Sequence, residues 1–144
     1  MTAEEFRRIV NEARSEHPIW FDRESDLPAS QSQIQDAESS LGARFPQQYV
    51  DFLKEFGGGD FVFTEIYSVT SETKSGVVEM NTGAGLPSGF IAFSNDGTGN
   101  SYGFKVDSDG MCDQQVSYFD FESSSISSTG KDFYQFVEQE AFHY

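Results

Sequence analysis

Residues 94–104 read SNDGTGNSYGF and pack three glycines, one Asp and two Asn into eleven positions. Glycine-rich loops cradle phosphates, and carboxylate and carboxamide oxygens bind metal ions, so this stretch is the first candidate for chemistry. A dinucleotide fingerprint requires G-x-G-x-x-G between a strand and a helix. Gly97, Gly99 and Gly103 give G-x-G-x-x-x-G instead, and both flanks read as strands. A phosphate loop also requires G-K-[ST], and the stretch has no lysine. Asp96-Gly97 supplies the positive φ of a tight turn, extended by Gly99 and Asn100. The expectation is a hairpin turn that binds no ligand.

Asp107, Asp109, Gly110 and Asp113 pose the same question for calcium. An EF-hand loop places oxygen ligands at positions 1, 3 and 5, Gly at 6 and a bidentate Glu at 12. Gly110 arrives two residues early and the Glu is missing, so this segment reads as a turn between strands. The only histidines are His17, in a loop, and His143, near the C-terminus. With Cys112 far from both, the spacing offers no zinc set, Cys-His dyad or Ser-His-Asp triad. Cys112 reads as an ordinary, non-catalytic cysteine that has no disulfide partner in the chain. Glu38 falls four residues after Ile34 on an inward face, and reads as a structural carboxylate that accepts loop amides. These shortages point to a non-enzyme with no cofactor and no metal.

The elements that must carry these residues follow from periodicity. Thr2 and Glu5 form T-x-x-E ahead of Phe6, Ile9, Val10 and Ala13, the spacing of a helix. Residues 17–30 carry two prolines and read as a loop, pinned to the body by Trp20 and Phe21. A second helix begins at Ser30 or Ser32, since both fit S-x-x-Q, and Gly42 closes it. Pro46 suits the first turn of a third helix, in which Tyr49, Phe52, Leu53 and Phe56 repeat the helical spacing before Gly57. The predicted core draws on Leu41, Tyr49, Phe52, Leu53 and Phe56. Beyond the glycines, short β-rich runs cover 61–63 and 66–67, and 77–81 reads as a brief helix. Strands are expected over 89–94, 102–107 and 115–122, then a serine-rich loop over 123–128. A closing helix follows, with Thr129 as its cap and Phe133, Phe136 and Val137 inward. The class is therefore α+β: one domain over 1–144, with a mainly antiparallel sheet packed against N-terminal helices and a closing C-terminal helix.

Fifteen Phe and six Tyr are aromatic mass for a packed interior. No apolar run approaches the roughly 20 residues of a membrane helix, and the first ten residues lack the features of a signal peptide. A cytoplasmic protein is expected. Twenty-four acidic residues against nine basic ones leave a formal charge of −15. From Gly57 onward only Lys74, Lys105 and Lys131 are basic, against thirteen Asp and Glu. Such a surface repels nucleic acid and anionic membranes and speeds encounter with a basic partner.

The block IQDAESSLGARFPQQYVDFLKEFGGGD, residues 34–60, resembles the SUKH superfamily. That superfamily groups bacterial immunity proteins with a yeast regulator of cell-wall synthesis. The resemblance is carried by Ile34, Glu38, Leu41-Gly42, Pro46, Tyr49, Phe52-Leu53 and Gly57-Gly58. IYSV from Ile66, LPSGFIAFSNDGTGNSYGF from Leu86 and the helix around DFYQFV extend it over about residues 30–141. It implies an immunity protein that binds and neutralises a cognate toxin domain, such as a basic nuclease. The alternative it implies is a non-enzymatic regulatory interaction module. The acidic balance places the partner-binding residues in the β-rich half, at Glu65, Glu72, Glu79, Asp96, Asp107 and Asp109, in or beside predicted loops. Oligomeric state is left open.

Overall fold

The computed structural model describes residues 1–22, 26–70 and 76–143. Helix α1 (Ala3–Glu16) starts where the Thr2 hydroxyl accepts the Glu5 amide at 3.1 Å. A 3-10 turn, Pro18–Phe21, follows it. Helix α2 (Gln31–Leu41) takes Ser30 as its cap, in a full capping box with Gln33, and ends at Gly42 in the left-handed region. Helix α3 (Gln47–Phe56) begins directly after Pro46, which stands at the cap rather than in the first turn. The Glu38 carboxylate spans the α2–α3 connection and accepts the Phe45 amide at 2.8 Å, a structural role as expected.

The glycines after α3 are required by a close approach. Asp26–Ala29 crosses over them, with Asp26 N–H donating to the Gly58 carbonyl and Ala29 N–H to the Leu53 carbonyl. A Cβ on Gly57 would lie 2.0 Å from the Asp26 carbonyl oxygen, at a φ of +82° that already favours glycine. A small hairpin follows, β1 (Gly59–Phe61) and β2 (Thr64–Ile66), turned by Val62 and Phe63. Helix α4 (Val77–Asn81) leads into an antiparallel meander of β3 (Phe90–Asn95), β4 (Ser101–Lys105), β5 (Gln115–Asp120) and β6 (Ser125–Asp132). Helix α5 (Phe133–Phe142) closes the chain. The α+β single domain expected from the sequence is the fold observed.

The core lies between the sheet and helices α1, α3 and α5. Tyr49, Phe52, Phe93, Phe104 and Phe133 form its centre, each fully buried, and Phe93 stacks on Phe104 with ring centroids 4.7 Å apart. The Tyr49 hydroxyl donates to the Tyr67 carbonyl at 2.6 Å, so this buried phenol is satisfied. Leu41 and Phe56, predicted for the core, are only partly buried against it.

Two readings of the C-terminal part are corrected. The serine-rich run is largely strand: Ser125, Ser127 and Ser128 lie on β6, a sheet edge where polar side chains meet water and no apolar alternation is needed. The cap of α5 is Asp132, which forms a capping box with Gln135, and Thr129 instead donates its hydroxyl to the Val116 carbonyl.

Candidate partner-binding site

An open cleft of about 490 Å³ forms where four separate parts of the chain meet. The 3-10 turn contributes Ile19 and Trp20; the β1–β2 hairpin contributes Asp60, Phe63 and Glu65; the β3–β4 turn contributes Asp96; and α5 contributes Glu140. Pro18 at the start of the 3-10 turn ends α1 and swings Trp20 back over the hairpin. The indole stacks on His17 at 3.8 Å between centroids and meets Phe63 edge-on at 5.2 Å. Val62 takes φ +55°, a conformation that costs a β-branched residue about 1–2 kcal/mol, and so the two-residue turn carries Phe63 outward. Ile19 stays 74% exposed and Phe63 43%. An apolar rim thus adjoins four carboxylates.

The hairpin is tied to the sheet by polar contacts. Ser94 donates its hydroxyl to the Glu65 carbonyl at 2.6 Å, and the Asn95 amide donates to Glu65 Oε1 at 3.1 Å and to the Tyr67 hydroxyl at 3.2 Å. Asp96 organises the next turn. Its Oδ1 accepts from the Thr98 amide, the Thr98 hydroxyl and the Asn100 amide, and its Oδ2 accepts from Tyr118 at 2.6 Å. Burial pushes this carboxyl up, but the hydrogen bonds from Tyr118, Thr98 and Asn100 outweigh it and bring it down to about 2. Asp96 therefore stays ionised, a fixed negative charge at the edge of the cleft. Burial raises the Tyr102 hydroxyl, and the charges of Glu140 and Asp96 raise it further, consistent with a concentrated negative potential here.

The six acids singled out from the sequence do not share one place. Glu65 and Asp96 meet in the cleft. Asp107 and Asp109 lie at the other end of the β3–β4 pair, in the turn leading to β5, where Asp107 Oδ1 accepts the amides of Asp109 and Met111, both at 2.9 Å. Arg44 clamps that turn to the α2–α3 connection through Gly110 and Cys112. Glu79 sits on α4, beside a smaller groove shared with α2. Glu72 lies outside the described residues. Sequence reasoning missed Asp60, Phe63 and Glu140 as members of this site. The twist of a hairpin and the docking of a terminal helix bring them together, and no local spacing encodes that.

The arrangement suits recognition of positive charge. Aromatic faces and carboxylates together take up arginine and lysine, by cation–π contact and ion pairing. Among the described residues, the lining has no histidine or cysteine to act as a nucleophile or base. A carboxylic general acid needs a raised pKa, and Asp96 is shifted the other way. Cys112 is buried, and burial first, then Glu38 and Asp107, push its thiol up to about 12. A thiol so shifted is a poor nucleophile at neutral pH.

A family model described as SUKH_6, SMI1-KNR4 cell-wall, matches residues 31–137, well over half of the chain. The chain belongs to the SUKH superfamily. SUKH proteins are generally non-enzymatic, and membership is consistent with a protein-interaction or immunity role. The matched SUKH region spans α2 to the first half of α5, so it includes the β1–β2 hairpin and the β3–β4 turn; the 3-10 turn precedes it and Glu140 follows it. A comparison with curated proteins finds no match. Among the described residues, no helix is long and apolar enough to cross a membrane.

Proposed function

We propose that this protein neutralises a cognate toxin domain by direct binding, and that the cleft receives a basic segment of that toxin. The observation that carries this reading is the placement of Asp60, Glu65, Asp96 and Glu140 around the half-buried ring of Trp20 and the exposed ring of Phe63. Family membership supports an interaction role, and the cleft supports a basic partner. Arginine is the best-fitting anchor, because its planar guanidinium stacks on an aromatic face while its N–H groups pair with carboxylates. The rim charges draw the partner in, and the aromatic contacts hold it.

Co-expression with a candidate cognate toxin domain tests the role. Cells survive if the reading is right, and survival is lost with a variant carrying Asp60→Lys, Glu65→Lys and Glu140→Lys. Failure of the native protein to rescue removes the immunity role. Rescue by the triple variant at full strength leaves the role standing and moves the face elsewhere. Asp96 is left unchanged in that variant because its carboxylate also holds a turn together.

A further inference from the structure

The four-stranded sheet has two edges, and the fold treats them differently. Along β3, the Asn81 side chain donates to the Ala92 carbonyl and accepts the Ala92 amide, both at 2.8 Å. The Tyr67 amide donates to the Phe93 carbonyl at 2.8 Å on the same edge. A carboxamide and a crossing segment thus stand in for a neighbouring strand, and this edge is covered. At the opposite edge β6 runs for eight residues and, among the described residues, pairs only with β5. Ser125, Ser127, Ser128 and Gly130 on it are exposed. An edge strand turns alternate N–H and C=O groups outward, where they template another strand. Natural edges are blunted by brevity, proline, charge or a bulge. β6 has no proline and carries its charges only at its C-terminal end, on Lys131 and Asp132; its register against β5 shifts after Ser128, so the regular, unblunted edge is Ser125–Ser128.

Charge selects what pairs there. With a formal charge of −15, most approaches between two copies oppose like charges. Residues 123–131 hold no acid and one lysine, so two copies that meet along this edge bring few like charges into direct contact. Antiparallel pairing of two β6 strands sets the Lys131 end of each copy beside the end that follows Glu122 in the other. Asp132, the acid next to Lys131, is engaged within its own chain: it accepts the Gln135 amide at 2.8 Å and holds the Met1 ammonium at 2.6 Å. A basic partner protein is drawn to the carboxylates of the cleft rather than to this edge. We infer that β6 is a self-association edge, pairing antiparallel with β6 of a second copy in a symmetric dimer whose sheet runs continuously through both subunits. The inference does not depend on the toxin reading.

A single strand pair is a small interface, so the dimer forms at high protein concentration. Sedimentation velocity over rising concentration should show the mass climbing from the 16.1 kDa monomer towards the dimer. Hydrogen exchange should show the outward amides of β6 gaining protection in step. Ser127→Glu places like charges against each other near the two-fold axis on an exposed position, and should weaken the dimer about tenfold or more without altering the monomer's circular dichroism. A protein that stays monomeric to millimolar concentration overturns the inference. So does a dimer whose β6 amides exchange as fast as in the monomer, or one that Ser127→Glu leaves intact. If Ser127→Glu does not fold, Lys131→Glu decides: a weakened dimer supports the pairing, and an unchanged one overturns it.

Discussion

Asp96 shows how one carboxylate does two things. Its four hydrogen bonds fold the β3–β4 turn, and the resulting low pKa keeps it charged beside the cleft. Because the folded pKa is depressed to about 2 from 3.8, its contribution to stability is fully present above the unfolded value. That contribution is lost as pH falls through the folded value. Asp96→Asn should therefore be less stable than the native protein at pH 7, with the gap closing between about pH 4 and pH 2; urea unfolding at both ends of that window measures it. Tyr49 is the corresponding case in the core. Burial, with smaller effects from Cys112 and Tyr67, raises its hydroxyl well above the ordinary value, so it remains a donor to the Tyr67 carbonyl. Tyr49→Phe should cost about 1–3 kcal/mol by leaving that buried carbonyl unpaired. Phe52→Ala, which empties a fully buried site, should cost about 3–5 kcal/mol. A loss below about 1 kcal/mol for Phe52→Ala in chemical denaturation would show that this helix face is not the core.

At the scale of elements, the helices were legible because their signals are local. The Ser30 box, the Gly42 stop and the spacing of Tyr49, Phe52 and Leu53 all lie within a few residues of what they control. The glycines differ among themselves in a way that spacing cannot reveal. Gly97 takes φ +79° with nothing near its missing Cβ, whereas Gly57 combines φ +82° with the Asp26 backbone pressed against it. Gly103, grouped with the turn glycines by its sequence neighbours, lies inside β4, where a Cβ would meet the Ile91 carbonyl at 2.2 Å. Gly97→Ala should cost about 1–2 kcal/mol, the backbone term alone. Gly57→Ala should cost about 2–4 kcal/mol, because overpacking against the 26–29 crossing adds to it. Thermal unfolding of the two variants side by side gives the comparison, and equal losses would mean that the crossing segment yields freely. The misread strand β6 has a related cause. Burial on one face normally imprints the period of a strand, and an edge made of serines bears no such imprint.

For the molecule as a whole, the dominant quantity is the net charge of −15. Self-repulsion of that size opposes the compact state and is screened by salt. The melting temperature should rise as sodium chloride is added from low ionic strength, and a fall would show that favourable ion pairs outweigh the repulsion. The same field should make association with a basic partner fastest at low salt, with Asp60→Lys, Glu65→Lys and Glu140→Lys lowering the on-rate more than they raise the off-rate. Trp20→Ala should act in the opposite way, since a buried aromatic anchor sets residence time. Stopped-flow kinetics across salt concentrations separates the two effects.

Composition and local spacing were enough to determine an acidic α+β domain, its first three helices, the turns on either side of β4 and its SUKH signature, because capping, periodicity and turn chemistry act over a few residues; the β1–β2 turn at Val62-Phe63 was hidden in an apolar run that reads as strand. Asp107 and Asp109 carry the same charge as Glu65 and Asp96 and look equivalent in the sequence. Only the tertiary structure separates them, by running β3 and β4 between the two pairs and leaving them at opposite ends. It alone brings Asp60, Glu65, Asp96 and Glu140 around Trp20 and Phe63. The cleft depends on contacts between residues far apart in the chain, which form only when buried aromatic packing fixes how the hairpin and α5 dock on the sheet.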